Sequence, residues 1–387
     1  MPLTIGVLNE STLEKTRVAL VPEVVKKLHA LGATVRIQTG AGLAARIADT
    51  AYEGAAILND AVSILSDADV LLTVHPPAPA TVAELKSGAV VVGFLQPLQQ
   101  EQMIQAFCAN RITSFAMELV PRISRAQSMD ALSSQASIAG YKAVLIAANE
   151  LDKFVPMLTT AAGTIRPAQF LVIGAGVAGL QAIATAHRLG AVVEGFDVRG
   201  ETREQIESLG AKFVDTGISA EGEGGYAREL TDEERLQEKQ VLDKRIADAD
   251  VVITTAAVPG RPAPKIISRA AVERMKPGAV ILDLAAESGG NCELTVAGET
   301  VVHNEVSILG PTNLPAQVPT HASEMYARNL FNFLQPAITD GGLVIDWTDE
   351  VFAGAVLTHD GIVRHEATGQ ATRRMPAVKP ARQGEAP

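Results

Sequence analysis

Residues 169–197, QFLVIGAGVAGLQAIATAHRLGAVVEGFD, decide the fold of this chain. The apolar run Phe170 to Ile173 reads as a buried strand. It meets Gly174-Ala175-Gly176-Val177-Ala178-Gly179, which opens a helix whose apolar positions are Leu180, Ile183, Ala184 and Leu189. Gly190 closes that helix, and a second apolar run, Ala191 to Phe196, ends in the carboxylate of Asp197. A glycine turn between strand and helix, with an acid about 20 residues further on, is the dinucleotide-binding fingerprint of a βαβ unit.

Each residue type has a physical reason. Gly174 permits the tight turn, Gly176 lets the backbone approach a pyrophosphate, and Gly179 lets helix and strand pack closely. The helix beginning at Val177 offers unpaired N–H groups and the positive end of its dipole. Asp197 is the expected acceptor for the adenosine ribose hydroxyls. A carboxylate there repels the extra phosphate of NADP and favours NAD, although Arg199, two residues on, softens that preference. Outside this setting a G-x-G-x-x-G turn is only a tight connection. Both strands, the helix and the acid make it a nucleotide site.

Composition agrees with an α/β protein. The 387 residues suffice for two sizeable cores. Apolar residues make up 47% but aromatic ones only 4%, so the cores are aliphatic, as buried parallel sheets require. The net charge of -11, with no basic stripe, argues against a nucleic-acid partner. Cys108 and Cys292 are the two cysteines; they suit a reducing compartment and give no metal-ligand spacing, so no metal is expected. Neither a signal peptide nor an apolar run of about 18 residues is present, which predicts a cytoplasmic chain without a membrane span.

The first third alternates strand and helix without a phosphate fingerprint: strands at Leu3 to Leu8, Thr34 to Gln38, Val70 to Val74, Val90 to Leu95 and Ile112 to Met117, and helices from Pro22 and near Gln100 to Asn110. After the fingerprint come strands at Lys212 to Val214, Asp250 to Thr255, Val280 to Leu284 and Val301 to Leu309. Between the first two of these lies a glycine-rich segment, Gly217 to Tyr226, followed by a charged helix over Arg228 to Arg245; the segment is either a lid or a plain connector. A helix over His321 to Leu334 is expected to return to the first domain. The predicted architecture is therefore two Rossmann-like parallel-sheet domains with a cleft between them, the nucleotide-binding one (133–314) inserted in the other (1–132 with 315–370). A tail, 371–387, reads as disordered.

Just before the fingerprint domain lies a polar loop, Pro121-Arg122-Ile123-Ser124-Arg125-Ala126-Gln127-Ser128-Met129-Asp130, continuing through Ser133 to Gln135. From the residues alone it is either a solvated linker, with Ser and Asp capping a helix over Tyr141 to Asn149, or a recognition loop. Together with Gly174 to Gly179, Asp197-Val198-Arg199, Gly224-Gly225-Tyr226 and Thr254-Thr255-Ala256-Ala257-Val258-Pro259-Gly260, it closely resembles the NAD(H)-binding domain of proton-translocating NAD(P) transhydrogenases, from the N-terminus to about Gly369. The resemblance implies that Arg122, Gln127 and Asp130 hold the nicotinamide end of NAD(H), with Ser133 in support and Ile123 and Ser124 beside them. It also implies that Gly225 and Tyr226 belong to a mobile loop that folds over the nucleotide, with Val177, Val198 and Ala257 among its contacts.

The same resemblance implies direct hydride transfer between NADH and NADP(H) held by a separate domain, with proton translocation in a membrane domain on other polypeptides. A homodimer, peripheral to the inner membrane through its partners, is implied as well. Such transfer needs two rings about 3 to 3.5 Å apart and no side-chain acid or base. Alanine dehydrogenase is similar across both domains, sharing patterns seen here as Arg17-Val18-Ala19 and as Lys276-Pro277-Gly278 with Asp283. Its substrate lysine, catalytic histidine and aspartate correspond to His75, Gln96 and Glu287, and glutamine cannot titrate. His75, next to Pro76-Pro77, reads as a surface residue at a strand end. A further reading is a non-catalytic NAD(H)-sensing module.

Overall fold

The structure, a computed structural model, describes residues 2–218, 231–257 and 261–373. Its contacts divide the chain into two compact units, Met1–Leu132 with Pro319–Pro387, and Ser133–Val318.

The first unit begins with β1 (Thr4–Val7), α1 (Pro22–Ala30), β2 (Thr34–Gln38), β3 (Ala56–Leu58), α2 (Ala61–Leu65), β4 (Val70–Thr73), α3 (Pro79–Ala83), β5 (Val90–Gly93), α4 (Glu101–Ala109) and β6 (Thr113–Ala116). Pro22 starts α1 because its ring presets φ and the missing N–H costs nothing there. Val24, Val25 and Leu28 bury one face of that helix. Strands β4 and β5 are buried along their whole length, as apolar runs in a parallel sheet must be. α5 (Ala131–Glu150) then leads into the second unit. It starts ten residues before the expected Tyr141, so the end of the polar stretch, Ser133 to Gln135, is helical.

The second unit contains a short hairpin, β7 (Leu158–Thr160) with β8 (Gly163–Ile165), then β9 (Gln169–Ile173), α6 (Val177–Arg188), β10 (Val192–Phe196), α7 (Thr202–Ser208) and β11 (Lys212–Phe213). α8 (Asp232–Asp248), β12 (Val251–Thr254), α9 (Arg269–Val272), β13 (Val280–Asp283), β14 (Thr300–His303) and β15 (Val306–Leu309) complete it. Thr231 and Glu234 form a reciprocal capping box that starts α8. The sheet order is β11-β10-β9-β12-β13-β15-β14, parallel except for β14. Clusters centred on Phe170 and Val172 on one face, and on Leu171 and Ile173 on the other, cover both sides of it. The single strand expected at Val301 to Leu309 is thus a hairpin. Asn304 and Glu305 both have positive φ (49° and 60°), as a two-residue type I′ turn requires.

The chain returns to the first unit through α10 (Pro319–Leu334), which buries Ala322, Tyr326, Ala327, Leu330, Phe333 and Leu334. The hairpin β16 (Ile338–Thr339) and β17 (Gly342–Leu343), α11 (Glu350–Ala355), β18 (Val356–His359), β19 (Ile362–Val363) and α12 (Glu366–Arg373) follow. β18 joins β6 antiparallel, so the sheet reads β19-β18-β6-β5-β4-β1-β2-β3. Both units are Rossmann-like α/β sheets, each with an antiparallel edge that the strand reading did not include. α12 continues to Arg373, past the expected start of the tail at 371; residues 374–387 lie outside the described residues.

Candidate nucleotide-binding site

The predicted site residues fall into two groups, one on each unit. On the second unit, β9 ends in the turn that the fingerprint predicts. Gly174 has φ +98°, and a Cβ there would run into the Thr255 side chain. The Thr255 hydroxyl donates to the Gly174 carbonyl (3.0 Å), tying the end of β12 to this turn. Gly179 is closed in: a Cβ on it would stand 2.9 Å from the Gly174 carbonyl carbon and overlap its oxygen. At Gly176 nothing lies within 4 Å of where a Cβ would be. Gly176 and Val177 are exposed, and no side chain caps the first turn of α6. That combination, open space beside an uncapped helix N-terminus, fits a phosphate group held by backbone N–H groups.

Asp197 is buried at the end of β10 and linked to this turn: its Oδ2 accepts the Ala175 N–H at 2.7 Å. The Arg199 backbone N–H and Nε reach Oδ1 (2.9 and 2.8 Å), and Arg199 Nη2 reaches Oδ2 (2.8 Å). Burial penalises the charge on Asp197, but the hydrogen bonds from Arg199 and Ala175 outweigh it and hold the carboxyl below the ordinary aspartate range. Val198 between them is partly buried against the core. Arg199 is therefore engaged with the fingerprint acid itself, a relationship that sequence spacing left open.

Opposite the glycine turn, Ala257 is exposed, and the chain leading to it is held by a residue that the sequence reading missed. Asn291 is fully buried; its Oδ1 accepts the Ala256 N–H (3.1 Å), and its Nδ2 donates to the carbonyls of Ala256 (2.7 Å) and Pro264 (2.9 Å). Asp283 in turn holds Asn291: its Oδ2 accepts the Asn291 and Cys292 N–H groups and the Thr295 hydroxyl. No local pattern marks Asn291, because its partners come from more than 25 residues away. Gly225 and Tyr226, and the sequence Val258-Pro259-Gly260, lie outside the described residues.

On the first unit, the polar loop forms a short 3-10 helix, Ser124–Met129, anchored from below. Ala126 and Met129 enter the hydrophobic core. The Ser128 carbonyl accepts from Asn329 and Asn332 of α10 (2.9 and 3.0 Å). Arg125 makes a two-pronged ion pair with Asp349 (2.9 and 2.6 Å). With Arg125 used in this way, Arg122, Ser124 and Gln127 are exposed, while Ile123 and Asp130 are partly buried. Ser133 lies partly buried in the first turn of α5. A loop pinned at Ala126, Ser128 and Met129 presents the side chains between them in a fixed arrangement.

The positions that correspond to the alanine dehydrogenase acid and base set are otherwise engaged. His75 is not the surface residue expected: its side chain is 15% exposed, and Nδ1 lies 3.1 Å from Glu10 Oε2, which also accepts the His75 N–H. Gln96 adopts φ +48°, with its N–H bonded to Glu118. Glu287 accepts the Asn313 N–H at 2.7 Å. Among the described residues no group of three or more His, Cys, Asp or Glu is arranged to hold a metal ion. No described helix is long and apolar enough to cross a membrane.

Comparison with known proteins agrees with this geometry. Residues 6–139 match the family model "Alanine dehydrogenase/PNT, N-terminal domain", and residues 143–366 match "Alanine dehydrogenase/PNT, C-terminal domain". The chain is 47% identical over 382 residues to the separately encoded first segment of NAD(P) transhydrogenase subunit alpha from Rhodospirillum rubrum, covering 95% of this chain and 100% of that protein. It is 41% identical to NAD(P) transhydrogenase subunit alpha of Haemophilus influenzae, covering 93% of this chain and 71% of that protein. The crystal structure of a transhydrogenase from Sinorhizobium meliloti superposes with a TM-score of 0.85 at 44% identity, over 93% of this chain and 99% of that one. An L-alanine dehydrogenase structure shares the fold at 24% identity, with a TM-score of 0.80. The chain belongs to the alanine dehydrogenase/PNT family, within the group of NAD(P) transhydrogenase alpha subunits.

Proposed function

We propose that this chain is the NAD(H)-binding subunit of a proton-translocating NAD(P) transhydrogenase, transferring hydride directly between NAD(H) and NADP(H) held on a partner polypeptide. The observation that carries this reading is the glycine turn: open space at Gly176, an uncapped α6, and Asp197 bonded to the Ala175 N–H. These fit a dinucleotide, with the backbone N–H groups of the α6 first turn on the pyrophosphate and Asp197 on the adenosine ribose.

The nicotinamide supplies the hydride, and the protein supplies position. Arg122, Gln127 and Asp130 orient the nicotinamide end, supported by Ser133, with Ile123 and Ser124 alongside. Val177, Val198 and Ala257 border the nucleotide, and Gly225 and Tyr226 close over it. None of these residues moves a proton, since hydride passes between two nicotinamides without one. Proton passage, the membrane domain and the NADP(H)-binding domain belong to other polypeptides, and the chain works as a homodimer at the inner membrane surface.

The test mixes this protein with a recombinant transhydrogenase NADP(H)-binding domain, NADPH and the acetylpyridine analogue of NAD, and follows reduction of the analogue by absorbance. Rapid reduction that requires both proteins supports the proposal. NADH binding without any transfer would return the chain to the sensing-module reading. Turnover of pyruvate with ammonium would return it to the dehydrogenase one.

A further inference from the structure

An ionised carboxylate offers about four acceptor positions, and those of Asp197 are all taken. Two go to the backbone N–H groups of Ala175 and Arg199, which fix the carboxylate in place. The other two go to Nε and Nη2 of the Arg199 guanidinium. The pair is shielded, with side-chain exposures of 22% for Arg199 and 7% for Asp197. A ribose diol reaching this carboxylate can take only the positions that the guanidinium vacates, because the backbone donors cannot leave without unmaking the turn.

We propose that Arg199 is a specificity-determining residue that competes with the adenosine ribose for Asp197. This deepens the reading of Asp197 as the ribose acid and rests on it. Binding NAD(H) exchanges the guanidinium for two hydroxyls, so part of the affinity is spent on breaking a shielded ion pair. The displaced guanidinium remains two residues away and keeps the local charge near zero. A ribose phosphate, as in NADP(H), then meets a neutralised pair instead of a bare carboxylate. One residue thus weakens NADH binding and shelters NADPH, and its removal moves the two nucleotides in opposite directions.

Titration calorimetry with NADH and with NADPH, on the full chain and on Arg199→Ala, Arg199→Gln and Asp197→Asn, tests this. Both Arg199 variants should bind NADH roughly three- to tenfold more tightly and NADPH more weakly by a similar factor, widening the ratio of the two by about ten- to a hundredfold. Arg199→Gln retains side-chain bulk without charge, so it carries the test if the alanine variant folds poorly. Weaker NADH binding in both variants, or an unchanged ratio, overturns the proposal and leaves Arg199 as a support for the carboxylate. Asp197→Asn separates the two readings. If it binds NADH as tightly as the parent, Asp197 is not the ribose acid and both readings fall. If it binds NADH more weakly while the Arg199 variants fail to tighten it, only the competition fails.

Discussion

Gly179 in the first turn of α6 faces the carbonyl of Gly174 at the end of β9 so closely that a single methyl group on Gly179 would overlap the Gly174 oxygen. Neither partner can give: the obstacle is backbone, and Gly174 is itself held by the Thr255 hydroxyl and by its N–H on the Phe196 carbonyl. Gly179→Ala should therefore separate helix from strand and cost about 3 kcal/mol of stability or more. Urea unfolding of the variant checks this, and a loss below about 1 kcal/mol would show that the helix can slide.

Gly176, three residues earlier, makes the opposite case. It has φ -75° and ψ -171°, conformations any residue adopts, and nothing lies within 4 Å of its missing Cβ. Gly176→Ala should leave stability within about 0.5 kcal/mol of the parent. If the space serves a pyrophosphate, the same methyl group should weaken NADH binding about tenfold or more. Fluorescence titration with NADH, set beside the unfolding curve, separates a site glycine from a folding glycine.

The contrast explains how much was legible in the sequence. β9, α6 and β10 could be read because their constraints are local: a backbone approach demands glycine within a few residues of itself. The β14–β15 hairpin was not legible because Asn304-Glu305 turns without a glycine, and the apolar run on either side looks like one strand. β18 escaped for a different reason. Val356–His359 is a short segment that becomes a strand by pairing with β6, some 240 residues away. In the polar loop the residue types were visible, but the pinning of Arg125 by Asp349 and of Ser128 by Asn329 was not, since those partners arrive from the far end of the chain. His75 was misjudged likewise, because Glu10 lies on another strand exit.

Asn291 makes three hydrogen bonds to backbone groups of Ala256 and Pro264, all out of water. Asn291→Ala strands those groups, at about 1 to 3 kcal/mol for each that finds no water. The expected result is a stability loss of about 3 kcal/mol and faster amide hydrogen exchange at Ala256. Unchanged exchange there would mean that the segment is held by other contacts.

Asp250 supplies a prediction with pH. It is buried at the start of β12, where it accepts the Gln169 N–H (2.8 Å) and pairs with Lys153 (3.0 Å) and Lys276 (3.1 Å). Burial opposes its charge, but the Gln169 N–H and the two ammonium groups prevail and lower its pKa. A carboxyl that titrates lower in the folded than in the unfolded state adds stability above the ordinary aspartate value, roughly pH 4, and loses it as pH falls through the folded value. Asp250→Asn should cost about 1 to 3 kcal/mol at pH 7. The gap to the parent should close as pH drops below roughly 4. Parallel denaturation curves from pH 7 to pH 3 read this directly, and a gap independent of pH would assign the loss to packing alone.

Gln127 is exposed on a loop whose buried anchors are its neighbours Ala126 and Met129, so truncating it removes no packing. Gln127→Ala should fold like the parent, within about 0.5 kcal/mol. On the proposed reading it orients the nicotinamide, and orientation acts on the rate far more than on the affinity, because a misplacement of about 1 Å can cost a hundredfold in rate. NADH affinity should therefore fall only modestly, while hydride transfer to the NADP(H)-binding partner slows by about ten- to a hundredfold. Stopped-flow measurement of a single turnover isolates that step from nucleotide release. A variant that transfers hydride at the parental rate would remove Gln127 from the site and leave Arg122 and Asp130 as the residues to test in its place.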